Sequence, residues 1–217
     1  MKTLIKLLAL AAVASGALMT TAVASAEVSY NIGFASEYYY RGIKQKSSSA
    51  SAGLDFTEGG FYIGTWAADV GDGLEIDGYF GYGIELESGF SAKVGFTGYY
   101  YTGEFDDTYE ELNLNLGYRW FGLEYSVGEY DNFSGPDQDY DFLAGTVTLD
   151  NGLYAKYGTF GDDFDGDYIE LGWGTTISEI DFGVAVILSS DELSDQLDDD
   201  GDDTESEAIV FSIGKSF

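Results

Sequence analysis

The sequence predicts an all-β protein, a closed antiparallel transmembrane β-barrel of twelve strands that follows a cleaved signal peptide. Three observations predict it. Nearly every apolar stretch after residue 27 alternates side chain by side chain with no helical segment between, a period of two with one apolar and one polar face. The joins between these stretches alternate between tight turns and roomier segments, which is the asymmetry of an outer-membrane barrel. The first 26 residues read as a secretion signal, with Lys2 and Lys6 ahead of an apolar core from Leu7 to Leu18 and a small-x-small cleavage site at Ala24-Ser25-Ala26. The chain is thereby divided into a signal peptide over 1–26 and a barrel domain over 27–217. The signal's core is too short to anchor the chain, and no later stretch approaches the roughly 18 apolar residues of a spanning helix.

The strands follow in order. Segment one, 28 to 42, sets Val28, Tyr30, Ile32, Phe34, Tyr38 and Tyr40 on one face and Ser29, Asn31, Gly33, Ala35, Glu37, Tyr39 and Arg41 on the other. Segment two, 50 to 57, opposes Ala52, Leu54 and Phe56 to Ser51, Gly53, Asp55 and Thr57. Segment three, 61 to 70, admits two facings, with either Phe61, Ile63 and Ala67 or Tyr62, Trp66 and Ala68 toward lipid. Segment four, 74 to 86, is the clearest: Leu74, Ile76, Phe80, Tyr82, Ile84 and Leu86 alternate with Glu75, Asp77, Tyr79, Gly81, Gly83 and Glu85. Segments five to seven span 90 to 101, 109 to 118 and 121 to 130. They place Val94, Leu114 and Leu123 on the lipid side and Lys93, Tyr99, Glu111 and Glu124 on the other. Segments eight and nine, 140 to 149 and 153 to 160, have blurred parity. Segment ten, 167 to 176, sets Ile169, Leu171 and Trp173 against Tyr168, Glu170 and Gly172. Segment eleven, 180 to 188, sets Val184 and Val186 against Asp181 and Gly183, and the last strand alternates from Ala208 to the terminal Phe217.

Tight joins are expected at Glu58-Gly59-Gly60, Glu87-Ser88-Gly89, Arg119-Trp120, Asp150-Asn151-Gly152 and Ile177-Ser178-Glu179, three of which end in a glycine that supplies the φ > 0 a reversing chain needs before the next Phe or Leu. Longer segments are expected at 43 to 49, 71 to 73, 102 to 108, 131 to 139, 161 to 166 and 189 to 207. The short side and both termini then face the periplasm, and an even strand count closes the barrel without a free edge. A soluble β-sandwich alternates too. The signal, the ionisable residues on the second face, and aromatic clusters at Tyr38-Tyr39-Tyr40, Tyr99-Tyr100-Tyr101 and Tyr118 with Trp120, read as interfacial girdles, favour the membrane barrel.

Composition bounds the function. The formal charge is −30 over 217 residues, and the signal carries two of the nine basic residues and no acid, so the mature chain is more acidic still. Such a surface argues against nucleic acid as a partner, since that needs a basic footprint. The chain has no cysteine and no histidine. Stability must come from the strand ladder, and ordinary zinc, copper and haem ligation is removed, so no cofactor is expected. The single proline, Pro136, falls in an expected loop.

The run Asn31-Ile32-Gly33-Phe34-Ala35-Ser36-Glu37-Tyr38-Tyr39-Tyr40-Arg41-Gly42-Ile43, with Gly53-Leu54-Asp55-Phe56 and Gly60-Phe61-Tyr62-Ile63-Gly64-Thr65-Trp66, resembles the N-terminal signature of the TorF-type porins, a bacterial family of uncharacterised function. The resemblance is densest over 28 to 86, and Lys215-Ser216-Phe217 also resembles the family's end. Lys44-Gln45-Lys46 departs from the expected small or polar residues, so loop-borne specificity is not carried over. The resemblance implies an outer-membrane porin-like barrel and no particular substrate. A terminal Phe217 also resembles the signal by which outer-membrane barrels engage the barrel-assembly machinery.

Barrel enzymes form a second class, but hydrolytic and transfer sites generally lean on a histidine base, and neither Lys93 nor Lys156 has an adjacent serine motif. A plugged structural or adhesive barrel is the third. Two acidic runs, Asp162-Asp163-Phe164-Asp165-Gly166-Asp167 and Asp198-Asp199-Asp200-Gly201-Asp202-Asp203 with Glu205 and Glu207, offer hard oxygen ligands, but neither has EF-hand spacing. They read as solvated loops, with weak bridging of Ca²⁺ or Mg²⁺ to lipopolysaccharide as the functional version. The expectation is a porin for small solutes in the Gram-negative outer membrane. Its pore is lined by Glu37, Tyr39, Arg41, Asp55, Glu75, Asp77, Tyr79, Glu85, Lys93, Glu111, Glu124, Glu170 and Asp181, a carboxylate excess that lowers the barrier for cations. Leu74, Ile76, Phe80, Ile84, Leu114, Leu123, Val184 and Phe211 face lipid.

Overall fold

In a computed structural model, residues 26–198 and 200–217 are described, and the expected signal lies, but for its last residue, outside them. The strands are β1 (Glu27–Tyr40), β2 (Ile43–Glu58), β3 (Phe61–Gly71), β4 (Gly73–Glu85), β5 (Phe90–Tyr101), β6 (Tyr109–Tyr118), β7 (Phe121–Tyr130), β8 (Gln138–Thr148), β9 (Leu153–Asp162), β10 (Asp167–Ile177) and β11 (Ile180–Ser189), a two-strand hairpin β12 (Gln196–Leu197) and β13 (Asp203–Thr204), and β14 (Ser206–Ser216). Every strand of the ring pairs antiparallel with its chain neighbour, the last and first join, and the ring closes in the order β1-β14-β11-β10-β9-β8-β7-β6-β5-β4-β3-β2. This is a twelve-stranded barrel with the small hairpin, preceded by a one-turn helix at Asp191–Leu193, set in the connection between β11 and β14.

The period of two explains the cross-section. Val28, Ile32, Leu74, Phe80, Leu114, Leu123, Leu171 and Phe211 are exposed on the outside, while their strand neighbours turn to the lumen. Segment three takes the first of its two facings: Phe61 and Ile63 are exposed outside and Trp66 and Ala68 are buried inside. The blurred parity of segments eight and nine also has a cause. Tyr140, Phe142, Ala144 and Phe160 are apolar yet buried on the lumen side, so both faces of β8 and β9 carry apolar residues.

Two connections differ from expectation. Residues 43 to 49 are strand, part of β2, and β3 and β4 are separated by Asp72 alone, so neither is a roomy loop. The longer reading failed at 43–49 because the strand there is polar on both faces. Instead β1 and β2 meet in a two-residue turn, Arg41-Gly42, with φ of 47° and 83°. This is the mirror-image turn whose twist matches a hairpin.

That hairpin does not stay in the wall. β1 pairs with β14 only from Asn31↔Ser216 to Ala35↔Ser212, and β2 pairs with β3 only from Glu58↔Phe61 to Ser51↔Ala68. The two strands nevertheless go on pairing with each other to Tyr40↔Ile43. At the departure point the backbone N–H of Phe211 donates to Ser36 Oγ (2.8 Å) and Ser49 Oγ donates to the carbonyl of Asp69 (2.7 Å). Ser48 takes φ of 60°, and a bulge between Tyr38 and Tyr39 shifts the register. Residues 37 to 47 thus form a ribbon that enters the lumen from the loop end. Tyr38 and Tyr40, expected on the lipid face, lie inside, and with inward Tyr99 they are not part of an interfacial girdle; Tyr100, Tyr118 and Trp120 remain exposed.

The closure makes a prediction. Phe211 is 61 % exposed on the outer face, whereas Ser212 points inward beside it. Phe211→Asp should sharply reduce the heat-modifiable, folded band recovered from membranes, and Ser212→Asp should reduce it far less. Equal loss would mean that the facing of β14 is wrong.

Candidate functional site

The tip of the ribbon carries Arg41 across the lumen to strands on the far wall. Five extended residues from Ser36 reach about 17 Å, enough to bring the guanidinium to β6 and β7. There Arg41 Nη1 donates to Glu111 Oε2 (2.8 Å) and Nη2 to Glu111 Oε1 (3.0 Å), a fork-to-fork pair. Nη2 also donates to Glu124 Oε1 (3.0 Å) and Ser126 Oγ (3.1 Å). The guanidinium carbon lies 4.2 Å from the ring centre of Phe142 and 5.0 Å from that of Tyr40. Both Arg41 and Glu111 are buried.

Glu111 is held by the wall as well as by Arg41. Tyr99 and Tyr140 donate their hydroxyls to it at 2.7 and 3.0 Å, and Asn113 Nδ2 donates at 2.6 Å. Thr97 donates in turn to Asn113 (2.8 Å). Lys156, itself part-exposed, reaches the second oxygen of Glu124 (3.2 Å), so two cations face two carboxylates. The rest of the ribbon is tied by side chains: Tyr38 donates to Glu75 (2.6 Å), Tyr40 to Tyr99 (2.7 Å), and Ser189 to the carbonyl of Gly42 (2.6 Å). Glycine suits position 42, because φ is 83° there and a Cβ would sit 2.8 Å from the Cβ of Tyr168, so that any side chain would push the turn away from β10.

The ribbon fills the loop-end half of the lumen. Each wall strand from β3 round to β14 presents a buried inward residue there: Ala68, Asp77, Tyr99, Glu111, Ser126, Phe142, Phe160, Tyr168, Ile187 and Val210. At the turn end many inward residues are part-exposed, among them Asp55, Tyr62, Tyr79, Lys93, Asn115, Thr146 and Ser212, although Asp181 is buried, so that half is a vestibule open to solvent. Tyrosines lie along its wall, Tyr79 donating to Asp55 (2.6 Å) and Tyr154 to Glu170.

The residues expected to line the pore are therefore spread over distinct places. Arg41, Glu111 and Glu124 belong to the buried network, and Glu170, the cross-strand partner of Lys156, lies at its border. Glu75 and Asp77 are buried beside the ribbon; Glu75 accepts from Tyr38 and Tyr101, whereas Asp77 Oδ1 has no hydrogen-bond partner. Asp55, Tyr79 and Lys93 are part-exposed in the vestibule, and Asp181 is buried against Thr176 (2.6 Å). Glu85 is exposed at the turn end of β4. Glu37, 3.8 Å from Lys44, and Tyr39 sit on the ribbon's other flank, where Ile43, Lys44 and Glu192–Asp195 line a cleft of about 170 Å³. Leu74, Phe80, Ile84, Leu114, Leu123 and Phe211 are exposed on the outside, and Ile76 and Val184 are half-buried there.

Sequence reasoning missed Tyr38, Tyr40, Asn113, Ser126, Tyr140, Phe142 and Lys156 as one constellation. Two signals pointed to it: the Tyr-x-Arg-Gly core on a turn, and the apolar residues on both faces of segments eight and nine. In the acidic loop, Asp198 accepts backbone N–H bonds from Asp200 (2.9 Å) and Asp202 (3.0 Å), which hold its carboxyl below the usual carboxylate range. Among the described residues no three carboxylates converge to hold a metal ion, and Asp199 of this run lies outside them.

The comparisons bear on this geometry. The family model described as "Bacterial protein of unknown function (Gcw_chp)" matches residues 19–216, and the chain belongs to that family. No curated protein matches the sequence. Among solved structures, the NanC porin in a rhombohedral crystal form superposes with a TM-score of 0.56 at 12 % identity, covering 88 % of this chain and 99 % of that one. A structure described under "in-meso Crystallization of Membrane Proteins" gives 0.52 at 11 % identity, covering 88 % and 83 %. The shared property is the fold, a closed outer-membrane-type barrel.

The buried tie predicts a graded response to mutation. Glu111→Ala strands Arg41 in the lumen and should cost about 3–5 kcal/mol of stability against urea. Lys46→Ala breaks a solvent-screened pair with Asp69 and should leave the urea midpoint almost unmoved.

Proposed function

We propose that this Gcw_chp family member is an outer-membrane porin for small solutes, whose conduit is closed in the present state by its own β1–β2 ribbon. The observation that carries the reading is a closed barrel, apolar outside and ionisable inside, with an open vestibule at one end. The likeness to the NanC porin and the resemblance of residues 28 to 86 to TorF-type porins support the same role. Catalysis is the weaker reading, because the chain offers no histidine or cysteine.

On this reading the chain is exported by its signal and assembled through the C-terminal strand and Phe217 by the barrel-assembly machinery. It sits among outer-membrane lipid and lipopolysaccharide, with the acidic loops outward and available to Ca²⁺ or Mg²⁺. Passage favours cations. Asp55, Glu75, Asp77, Glu170 and Asp181 outweigh Lys93 once Arg41 and Lys156 are set against Glu111 and Glu124, and carboxylates in a narrow low-dielectric lumen are screened poorly by salt.

Replacing residues 37 to 47 by a short glycine linker should raise single-channel conductance in planar bilayers several-fold over the full chain, with a cation-selective reversal potential. Neutralising Glu75 and Asp77 together should then move that potential toward anions more than removing the acids of 189–207. A larger effect of the loop would place selectivity at the mouth. No conductance from the shortened protein would leave a plugged structural barrel as the function.

A further inference from the structure

We propose that the cage around Arg41 is a binding site for guanidinium-bearing small solutes and that Arg41 is its built-in occupant, so that such a solute displaces the ribbon and opens the lumen. The inference rests on the porin reading. The cage is complete for this chemistry. Both oxygens of Glu111 take the two Nη atoms of Arg41, Glu124 and Ser126 add acceptors at 3.0 and 3.1 Å, and Phe142 offers its face at 4.2 Å. All four residues are on wall strands. Glu111 is oriented by Tyr99, Tyr140 and Asn113, also on the wall, so the acceptor set persists when the ribbon leaves. The buried Nε of Arg41 finds no acceptor, so the resident side chain leaves one donor unsatisfied that a free solute can reorient to place.

The occupant sits on an element with two places to go. Beyond Ala35 and Ser51 the ribbon has no ladder to β14 or β3 and is tied by side chains, so leaving breaks separate hydrogen bonds rather than a zipper. Over Ser206–Phe211 the ladder of β14 runs only to β11 on its other side, apart from the bond to Ser36. Continuing β1 along β14 would fill that edge. The alternation of residues 28 to 42 fits this wall position as well, with Tyr38 and Tyr40 in phase with Phe34 on the lipid face and Glu37, Tyr39 and Arg41 in phase with Ala35 on the lumen face. The same segment therefore has a lumen state, latched by Arg41, and a wall state encoded in its period. A ligand that competes for the latch shifts the balance by its affinity for the vacated cage.

The test uses the absence of cysteine. Tyr40→Cys puts a thiol in place of a ring that packs against Tyr99 inside the lumen. L-arginine should speed its labelling by a maleimide several-fold, and L-citrulline, which has the same chain with a neutral urea end, should not. Gly42→Cys with Tyr168→Cys supplies a lock: the Cβ atoms would start 2.8 Å apart, so the turn must move outward by about 1 Å to reach the usual disulfide separation, and the strain of a cysteine at φ of 83° is common to the oxidised and reduced forms, so that reduction isolates the effect of the bridge. In proteoliposome swelling, the unmodified chain should admit L-arginine several-fold faster than L-citrulline. The oxidised double variant should admit neither, and reduction should restore uptake. Labelling that does not distinguish the two solutes overturns the guanidinium cage. Uptake unaffected by the disulfide overturns the gate while leaving the porin reading intact. If the chain shortened at 37–47 admits neither solute, the porin reading itself fails and this proposal with it.

Discussion

Inside a lipid bilayer a backbone N–H or C=O has no water to turn to, and each one left unpaired costs several kcal/mol. The remainder of this molecule depends on that constraint. It accounts for the closure of β1 on β14, because a strand without a neighbour is not tolerated in lipid. It also accounts for a chain that reverses in two-residue turns at Gly59-Gly60 and Ser178-Glu179, so that almost every residue belongs to the ladder. Among the described residues the ladder is relaxed over the loop-end stretch between β14 and β3, and there side chains patch it: Ser36 accepts from Phe211, Ser49 donates to Asp69, and Lys46 pairs with Asp69. Serine suits such a seam because its hydroxyl both donates and accepts.

Charge in the lumen follows a second logic. A carboxylate and a guanidinium taken out of water lose more by desolvation than a single contact returns, unless the geometry is good and the remaining lone pairs are met. Glu111 meets that condition, with a bidentate arginine, two phenols and an amide. Glu75 and Asp77 do not, having two tyrosine hydroxyls between them. The lumen is therefore uneven: neutralised on the β6–β7 side, where the ribbon docks, and acidic on the β4 side.

The twelve strands, the tight turns and the outward faces of β4, β6 and β11 were legible in the sequence because each rests on a local rule, the period of two or the φ > 0 of a reversing chain. The ribbon was not. Alternation states which side of a sheet a residue occupies and is silent on whether that sheet has a neighbour, so Tyr38 and Tyr40 read as lipid-facing and Arg41 as an ordinary wall residue. What decides their place is a set of contacts with partners such as Tyr99, Glu111 and Phe142, some 60 to 100 residues away in the chain. Besides the Tyr-x-Arg-Gly run, the blurred parity of β8 and β9 was a local trace of it. Phe142 and Phe160 are apolar on the lumen side because they face the ribbon instead of water.

Barrel width grows with strand number, and twelve strands enclose a lumen between the filled interior of an eight-stranded barrel and the open channel of sixteen. Side chains from the wall alone leave such a lumen partly empty, which is the condition of the turn-end vestibule here. At the loop end the same cross-section is closed by one two-stranded ribbon, with Ile187, Ala208 and Val210 on one flank and Glu111 and Ser126 on the other all buried against it. A narrower barrel could not admit the ribbon, and a wider one would leave a passage beside it. Strand number, ribbon length and the placement of Glu111 opposite the β1–β2 turn are thus one fitted set, and a change in any of them would decide whether this lumen can be shut.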